Sequence, residues 1–204
     1  MAKRLTTPKA SVRCPWCGTD PLYVAYHDTE WGVPVTDDRA LYEKLVLDGF
    51  QAGLSWITVL RKRPAFQHAF RKFDPAKVAK FGERDMARLL KDESIIRSRA
   101  KINGAIQNAR AWMEVMDAGG KGAFRDLLWQ CVDHRTVKNE FRSDSKIPPS
   151  TAQSESMSRT LREAGFGFCG PTICYAFMQA VGMVNDHLVE CPRYRAIARL
   201  ARKH

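Results

Sequence analysis

Apolar residues recur at helical spacing along most of this chain. The first predicted helix begins after Thr36 or Asp37, either of which can cap it, and ends near Phe50. Its apolar positions, Leu41 and Leu45 among them, fall on one face at intervals of three and four residues. No segment of five or more residues alternates convincingly between apolar and polar side chains, which is the pattern that predicts a strand.

Capping residues, glycines and prolines divide the remaining sequence into further predicted helices. Ser55 can cap one helix, Pro64 suits the first turn of another, and Asp74 followed by Pro75 opens a third. A stretch rich in Pro and Ser, residues 143–151, predicts a loop. The predicted helices after the first cover residues 56–62, from 64 onward, 76–81, 83–90, 102–118, 123–132, 154–164, 173–181 and 192–202. The predicted fold class is all-α.

The chain of 204 residues is long enough to bury a core without covalent help. Residues 1–13 are predicted to form a basic flexible arm, and residues 14–204 a single unit with a central helical part, about 72–135. The N-terminal and C-terminal parts of this unit are expected to pack together around a metal ion. Since no apolar run is long enough to span a membrane and the N-terminus lacks the pattern of a secretory signal, we expect a cytoplasmic protein that contacts no membrane.

A net charge of +11 favours a polyanionic partner, above all nucleic acid, although a generally basic soluble protein fits the charge equally well. The six cysteines fall into two groups of three. One group lies in apolar contexts, as reduced core cysteines do, and comprises Cys131, Cys169 and Cys174. The other group accompanies histidines or one another, and comprises Cys14, Cys17 and Cys191.

Two pairs of soft-metal ligands stand at opposite ends of the chain. Cys14 and His27 lie near its start, and His187 and Cys191 close its end. On a helix the last two would face the same way and chelate as one unit. Two thiolates and two imidazoles hold Zn²⁺ tetrahedrally, so the set predicts one closed structural zinc site without a position for catalytic water. Cys17 is the rival ligand to Cys14, and a core histidine beside a reduced cysteine is the alternative for either pair.

Large aromatic residues concentrate near the N-terminus among acidic ones. Aromatic faces attract cations and stack on nucleobases, so these residues predict a polar-lined binding pocket. A helical core rich in large side chains is the alternative, and it would be preferred for Trp56 alone. The aromatic set is Trp16, Tyr23, Tyr26, Trp31 and Trp56, and the acidic residues are Asp28, Glu30 and Asp48.

Two further segments carry candidate DNA contacts. Gly53 and Leu54 form a turn at which an apolar side chain can wedge between base pairs, unless Leu54 packs under the next helix as a staple. The second segment, residues 95–102, links two predicted helices and can present its backbone N–H groups to a phosphate. Its charged side chains are Arg97, Arg99 and Lys101, for which a solvated basic turn is the alternative.

Three long strings in this sequence resemble the 3-methyladenine DNA glycosylase I family. They are DPLYVAYHDTEWGVP at residues 20–34, QAGLSWITVL at 51–60, and GPTICYAFMQA at 170–180 continuing to VNDH at 184–187. Matching segments extend in order from about Arg13 to Cys191, nearly the whole chain. Strings of this length and composition are specific.

The resemblance implies an all-α, helix-hairpin-helix DNA repair enzyme with one structural zinc. It implies zinc ligands at Cys14, His27, His187 and Cys191, the same four residues as above. It also implies a Gly53–Leu54 wedge and a phosphate-binding hairpin at residues 95–102. For the base pocket it implies Trp16, Tyr23, Tyr26, Trp31, Trp56 and Asp48. The family carries Glu at the position of Asp48, and the shorter side chain reduces the reach of the carboxylate.

The function implied is a monofunctional N-glycosylase that extrudes N3-methyladenine and releases it by hydrolysis, leaving an abasic site. Its partners are then double-stranded DNA containing alkylated bases and free 3-methyladenine as product, and the resemblance favours a monomer. We expect Asp48 to accept hydrogen bonds from the adenine edge and Tyr26 to orient the base or the attacking water. A zinc-stapled DNA-binding or lesion-sensing module without hydrolase activity is the alternative; a basic helical interaction protein fits the aromatic and acidic residues less well.

Overall fold

The computed structural model of this protein describes residues 12–201, so most of the predicted N-terminal arm lies outside the described residues. The fold is mainly helical, which confirms the all-α prediction. Two strands of two residues each, β1 (Val137–Lys138) and β2 (Val184–Asn185), pair in parallel. The helices are α1 (Pro21–Thr29), α2 (Asp38–Gln51), α3 (Trp56–Ala69), α4 (Pro75–Val78), α5 (Glu83–Lys91), α6 (Arg99–Gly119), α7 (Ala123–Trp129), α8 (Ala152–Glu163), α9 (Pro171–Ala180) and α10 (Pro192–Leu200). Short 3₁₀ turns lie at Pro15–Cys17, Arg71–Phe73, Gln130–Val132 and Asp144–Lys146.

Helix α2 is central, because it packs against α3, α6, α7 and α9. It begins where the sequence predicts: the Asp37 carboxylate accepts hydrogen bonds from the N–H groups of Arg39 and Ala40. Leu41 and Leu45 are buried on its inner face. The helix therefore forms a rigid support for any side chain that it directs away from the core.

The break predicted at Pro64 is wrong. Helix α3 runs from Trp56 to Ala69 with Pro64 inside it. Proline removes one backbone hydrogen bond from a helix interior and usually bends or ends it. Here Leu60 before the proline and Phe66 after it are both buried in the core. Burial of both halves offsets the lost bond, and a continuous helix results.

The two ends of the sequence meet through two segments that run side by side. The N–H of Gly32 donates to the carbonyl of Ala180, and the N–H of Val35 donates to that of Val181. The approach is so close that a Cβ on Gly182 would lie 2.5 Å from the backbone nitrogen of Pro34. Glycine is required there also because its φ is +74°. The chain after α9 is thereby held against the chain after α1.

His187 and Cys191 lie in the turn between β2 and α10 and not on a helix, so the helical relation predicted for them is wrong. The N–H of Cys191 donates to the carbonyl of Leu188, which closes the turn and brings both side chains to one side. Within residues 12–201, no helix is long and apolar enough to cross a membrane.

Candidate functional site

The four predicted metal ligands meet in one buried cluster. Cys14, His27, His187 and Cys191 are all buried, and their ligand atoms lie within 4.8 Å of one another. Cys14 Sγ lies 3.6 Å from His187 Nδ1, and Cys191 Sγ lies 3.6 Å from His27 Nε2 and 3.7 Å from His187 Nδ1. The structure therefore joins the two ends of the sequence at a set of four soft donors.

The second nitrogen of each imidazole has its own partner. His187 Nε2 lies 3.1 Å from the carbonyl oxygen of Trp31, and His27 Nδ1 lies 2.8 Å from Asp28 Oδ1. Arg13 in turn forms an ion pair with Asp28 at 2.8 Å. Outer partners of this kind determine which nitrogen carries the proton. They leave Nδ1 of His187 and Nε2 of His27 as the nitrogens that face the two sulfurs.

The two thiols of this cluster shift each other's pKa in opposite directions. The hydrogen bond between their sulfurs raises the pKa of Cys14 and lowers that of Cys191, and burial further raises the pKa of Cys14. Two buried sulfurs facing two imidazoles are a donor set that fits a metal cation. Cys17 is buried nearby, but its Sγ lies 3.2 Å from the carbonyl oxygen of Cys14, outside the cluster. Of the two rivals, the geometry selects Cys14.

Beside the Cys2His2 cluster formed by these four side chains lies a cavity of about 170 Å³. It is smaller than the pockets of about 300–1,000 Å³ that hold drug-sized ligands, so it suits a compact ligand. The structure brings all six predicted pocket residues to its wall: Trp16, Tyr23, Tyr26, Trp31, Asp48 and Trp56. The lining also includes residues that the sequence did not single out: Lys44, Gln51, Ile147, Ala176, Gln179 and Ala180.

The aromatic wall of the cavity is held by ring-to-ring contacts. The Trp16 ring centroid lies 5.0 Å from that of Tyr23 and 4.9 Å from that of Trp31, both edge to face. The rings of Tyr26 and Trp56 lie 5.5 Å apart. On its other side Trp31 meets the His187 ring, with 4.5 Å between centroids. Trp31 therefore forms a wall that the cavity shares with the Cys2His2 cluster.

Helix α1 orients the two tyrosines. It begins at Pro21, after the Asp20 carboxylate accepts hydrogen bonds from the N–H groups of Leu22 and Tyr23. Tyr23 and Tyr26 are three residues apart and so share a helix face. Burial, with smaller contributions from the negative charges of Asp48 and Glu30, raises the pKa of Tyr26 well above its ordinary value. Its hydroxyl is therefore protonated at neutral pH and can donate a hydrogen bond.

Asp48 places a buried carboxylate in this cavity. Its side chain is 1% exposed, and Oδ1 accepts a short hydrogen bond from Lys44 Nζ one helical turn earlier on α2. The second oxygen, Oδ2, is buried and has no hydrogen-bond partner among residues 12–201. Burial raises the pKa of Asp48, and the positive charge of Lys44 opposes that shift. A buried acceptor without a partner is costly, so Oδ2 is suited to a ligand's donor.

Lys44 is a candidate ligand-binding residue of the cavity that the sequence alone did not indicate. Its ammonium lies 3.9 Å from the centroid of the Trp56 ring, within the range of a cation–π contact, and its side chain is 17% exposed. Burial lowers the pKa of Lys44, and the negative charge of Asp48 opposes that shift. The available signal was the spacing of Lys44 and Asp48, four residues apart on a predicted helix.

Gly53 and Leu54 form an exposed turn between α2 and α3. Gly53 has a φ of +77°, a conformation that favours glycine, and a Cβ there would meet nothing within 4 Å. Leu54 is 42% exposed, which favours an accessible side chain over a buried staple. Ser55 precedes α3, but its hydroxyl does not cap a backbone N–H of that helix; it pairs with the hydroxyl of Thr58 in the first turn at 2.8 Å.

The hairpin predicted at residues 95–102 only partly matches the seven-residue link between α5 and α6, which is residues 92–98. Residues 99–102 form the first turn of α6. Arg97 pairs with Glu93 at 3.1 Å, and Arg99 lies 3.9 Å from Glu83. Lys101 has another contact: its Nζ donates to the carbonyls of Phe50 and Ala52 at 2.9 and 2.6 Å. Lys101 thus joins the start of α6 to the end of α2, next to the Leu54 turn.

Phe168 is another exposed apolar residue, and no sequence signal marked it. It is 39% exposed and has a left-handed backbone with a φ of +53°. Its ring lies so close to Gly104 on α6 that a Cβ there would be 2.4 Å from it. A Cβ on Gly49, near the end of α2, would be 3.3 Å from Phe168 Cβ. Two glycines thereby make room for one aromatic residue at the surface.

Comparison with known proteins gives one consistent result. The methyladenine glycosylase family matches residues 16–194 of this chain. The DNA-3-methyladenine glycosylase 1 of Escherichia coli is 50% identical over 182 residues, which cover 89% of this chain and 96% of that protein. Its counterpart in Haemophilus influenzae is 43% identical, over 89% of this chain and 97% of that protein.

Solved structures agree. A crystal structure of a 3-methyladenine DNA glycosylase I superposes with a TM-score of 0.87 at 49% identity and covers 89% of this chain and 98% of the other. A structure of the Staphylococcus aureus enzyme, solved to explain 3-methyladenine recognition, gives a TM-score of 0.85 at 33% identity, over 90% of this chain and 97% of that one.

Proposed function

Because the chain belongs to the methyladenine glycosylase family, we propose that it removes 3-methyladenine from alkylated DNA by hydrolysing the N-glycosyl bond. The observation that carries the proposal is the small aromatic cavity with one open carboxylate oxygen, Asp48 Oδ2. An adenine base carries an amino donor on the edge that this oxygen would meet. The product left in the DNA is an abasic site.

The chemistry asks little of an acid catalyst. Methylation at N3 makes the base in DNA cationic and weakens its bond to the sugar. When that bond breaks, its electron pair passes to the purine and neutralises the charge, so the base leaves without protonation. Water adds to the sugar carbon and loses a proton to the solvent. The protein must extrude the base, at a cost of a few kcal/mol, and hold it.

The proposed roles follow from the contacts. The aromatic side chains Trp16, Tyr23, Trp31 and Trp56 enclose the base, and a cation over such a face gains up to about 2 kcal/mol when desolvated. Asp48 Oδ2 accepts from the amino group of adenine and so fixes the orientation of the base. Tyr26, whose buried hydroxyl keeps its proton, orients the base or the attacking water.

We further propose that the Cys2His2 cluster holds one structural Zn²⁺. Tetrahedral coordination at about 2.3 Å from sulfur and about 2.0 Å from nitrogen places neighbouring donors about 3.3–3.8 Å apart. The sulfur–nitrogen distances of 3.6, 3.6 and 3.7 Å agree with that spacing. The metal would connect the ends of the sequence and support Trp31, since the cluster and the cavity share that wall.

DNA is proposed to bind across the face that carries the Leu54 turn and the hairpin. Leu54 would enter the stack where the base has left, and the backbone of residues 92–98 with Arg97, Arg99 and Lys101 would lie along the phosphates. The arm, residues 1–13, adds positive charge to the same task. A monomer suffices, because every proposed contact comes from one chain. We propose that the protein acts on chromosomal DNA in the cytoplasm, at the nucleoid.

Release of free base from methylated DNA tests the proposal. Purified protein is incubated with duplex DNA containing N3-methyladenine, and both the free base and strand breaks are measured. We expect 3-methyladenine to appear with one abasic site for each base released and without strand cleavage by the protein. Binding to the same DNA without any free base would favour the alternative, a lesion-binding module.

A further inference from the structure

The base cavity contains a positive charge that recognition of a cation by aromatic rings does not require. Lys44 Nζ lines the cavity, pairs with Asp48 Oδ1 and lies 3.9 Å from the centroid of the Trp56 ring. The ammonium therefore already occupies a cation–π position beside the site of the base. It also balances the carboxylate that would otherwise attract a cationic base.

Two other charges act on Lys44, those of Arg63 and Glu30. They are paired with each other through two hydrogen bonds of 2.5 and 2.9 Å. Asp48 lies in the last turn of α2, where the helix dipole disfavours negative charge. Lys44 and Asp48 thus present a donor and an acceptor side by side at the cavity wall.

This pairing has a consequence for the chemical step. The base is a cation while it is joined to the sugar and becomes neutral as it departs. An ammonium beside it repels the bound cation, and the repulsion weakens in the transition state as the positive charge moves from the purine to the sugar. A donor to the ring becomes more favourable over the same step, since electron density flows into the purine. An interaction that improves between ground state and transition state accelerates the reaction.

We propose that Lys44 is a catalytic residue of this enzyme, one that donates a hydrogen bond to N7 of the extruded base and destabilises its cationic ground state. The inference rests on the proposed function. Adenine carries the N7 acceptor next to the amino donor, so Lys44 and Asp48 Oδ2 together match that edge. The cavity of this chain therefore reads the adenine edge with a lysine–aspartate pair and recognises the base by more than its charge.

Two variants separate the charge of Lys44 from its hydrogen bond. Lys44→Met removes both and keeps much of the length, whereas Lys44→Gln removes the charge and keeps an N–H donor. In single-turnover and steady-state excision of 3-methyladenine from duplex DNA, we expect Lys44→Met to lower kcat about tenfold or more and to lower KM as well. A joint fall of kcat and KM is the signature of lost ground-state destabilisation. Lys44→Gln is expected to lower KM similarly and to lose less of kcat.

A binding measurement tests the N7 contact without turnover. Calorimetric titration compares free 3-methyladenine with its 7-deaza analogue, in which C–H replaces N7. For the unchanged protein, loss of N7 should weaken binding about tenfold, as expected for a hydrogen bond from a charged donor. For Lys44→Met the two ligands should bind equally. For Lys44→Gln a smaller preference for 3-methyladenine should persist.

Lys77→Met is the matched control, because Lys77 forms a lysine–aspartate pair with Asp74 at 3.1 Å on α4 and is 66% exposed. Lys77→Met should leave kcat, KM and the preference for N7 unchanged. An N7 preference in Lys44→Met as large as in the unchanged protein would overturn the proposal, and so would an increase in kcat. If the unchanged protein releases no 3-methyladenine, the proposed function itself fails, which is a different outcome from the loss of the N7 effect alone.

Discussion

The molecule contains two buried polar clusters on either side of Trp31, and they resolve the same electrostatic problem differently. In the Cys2His2 cluster all four donor atoms face one another within 4.8 Å, a closed arrangement that suits one cation. In the base cavity Lys44 supplies the positive charge from within the chain, and Asp48 keeps one oxygen open. A closed donor set stabilises a fold, whereas an open one binds a ligand. The following experiments separate these two roles.

Loss of the metal is expected to have the largest effect, and on stability. Structural zinc sites contribute apparent binding free energies on the order of 10 kcal/mol to folding. Cys14→Ser should therefore lower the free energy of unfolding by at least about 3 kcal/mol, and Tm by roughly 6–12 °C for a chain of this size. Calorimetry with metal analysis measures both. Cys17→Ser, a buried neighbour outside the cluster, is the control and should retain one zinc for each chain.

Asp48→Asn is expected to have the opposite profile. Asparagine keeps the shape but presents no anionic acceptor, so excision should fall about a hundredfold in kcat/KM, comparable with the loss of one preorganised electrostatic contact. Metal content should be unchanged. Excision by Asp48→Asn at the wild-type rate would show that the Asp48 carboxylate has no role in excision. Asp48→Glu, which lengthens the side chain by one methylene, should leave activity equal or higher.

The sequence predicted much of this molecule, and its failures have physical causes. Capping residues and apolar spacing predicted where α2 begins and ends. Residue type grouped the four soft-metal ligands, and the concentration of aromatic residues among acidic ones near the N-terminus indicated the pocket. The break at Pro64 failed because tertiary burial of Leu60 and Phe66 overrides the local preference of proline. The helix assumed for His187 and Cys191 failed because the segment follows a strand and closes a turn.

Two features of the site required three-dimensional information. Lys44 belongs to the cavity only because α2 turns that face toward Trp56, which contributes from another helix. Phe168 reaches the surface because Gly49 and Gly104, on two separate helices, leave space for it. Neither relation follows from spacing along one segment.

Leu54→Ala should have an intermediate effect, confined to duplex DNA. If Leu54 fills the gap left by an extruded base, its loss should reduce excision from duplex about tenfold, while single-stranded substrate, which needs no unpairing, should be affected less. Leu22→Ala is the matched control, since Leu22 is also 42% exposed but lies on α1. Equal losses for both variants would contradict a specific role for the turn.

The smallest effect is expected on the free energy of unfolding when both Lys44 and Asp48 are replaced. The pKa of Asp48 is raised by burial, so its contribution to stability is complete below its unfolded pKa and is lost as pH rises through the folded value. The pKa of Lys44 is lowered by burial, so its contribution is present above its unfolded pKa and is lost as pH falls through the folded value. In the ion pair, burial of each charge is unfavourable, and the attraction between the two charges offsets that cost.

Replacing both charges together should therefore leave stability unchanged or slightly higher. The double variant Lys44→Met with Asp48→Asn should unfold within about 1 kcal/mol of the unchanged protein while its excision is largely lost. Chemical denaturation at pH 7 measures this. A loss of unfolding free energy as large as that of Cys14→Ser would show that the Lys44–Asp48 pair stabilises the fold as the Cys2His2 cluster does. The contrast between the two clusters would then be wrong.

The most direct measurement is a crystal structure of this protein with 3-methyladenine bound. We expect the base between the aromatic walls, with its amino nitrogen at hydrogen-bond distance from Asp48 Oδ2 and N7 facing Lys44 Nζ. A base bound elsewhere, or one in the cavity with Asp48 Oδ2 still without a contact, would show that this carboxylate does not recognise adenine.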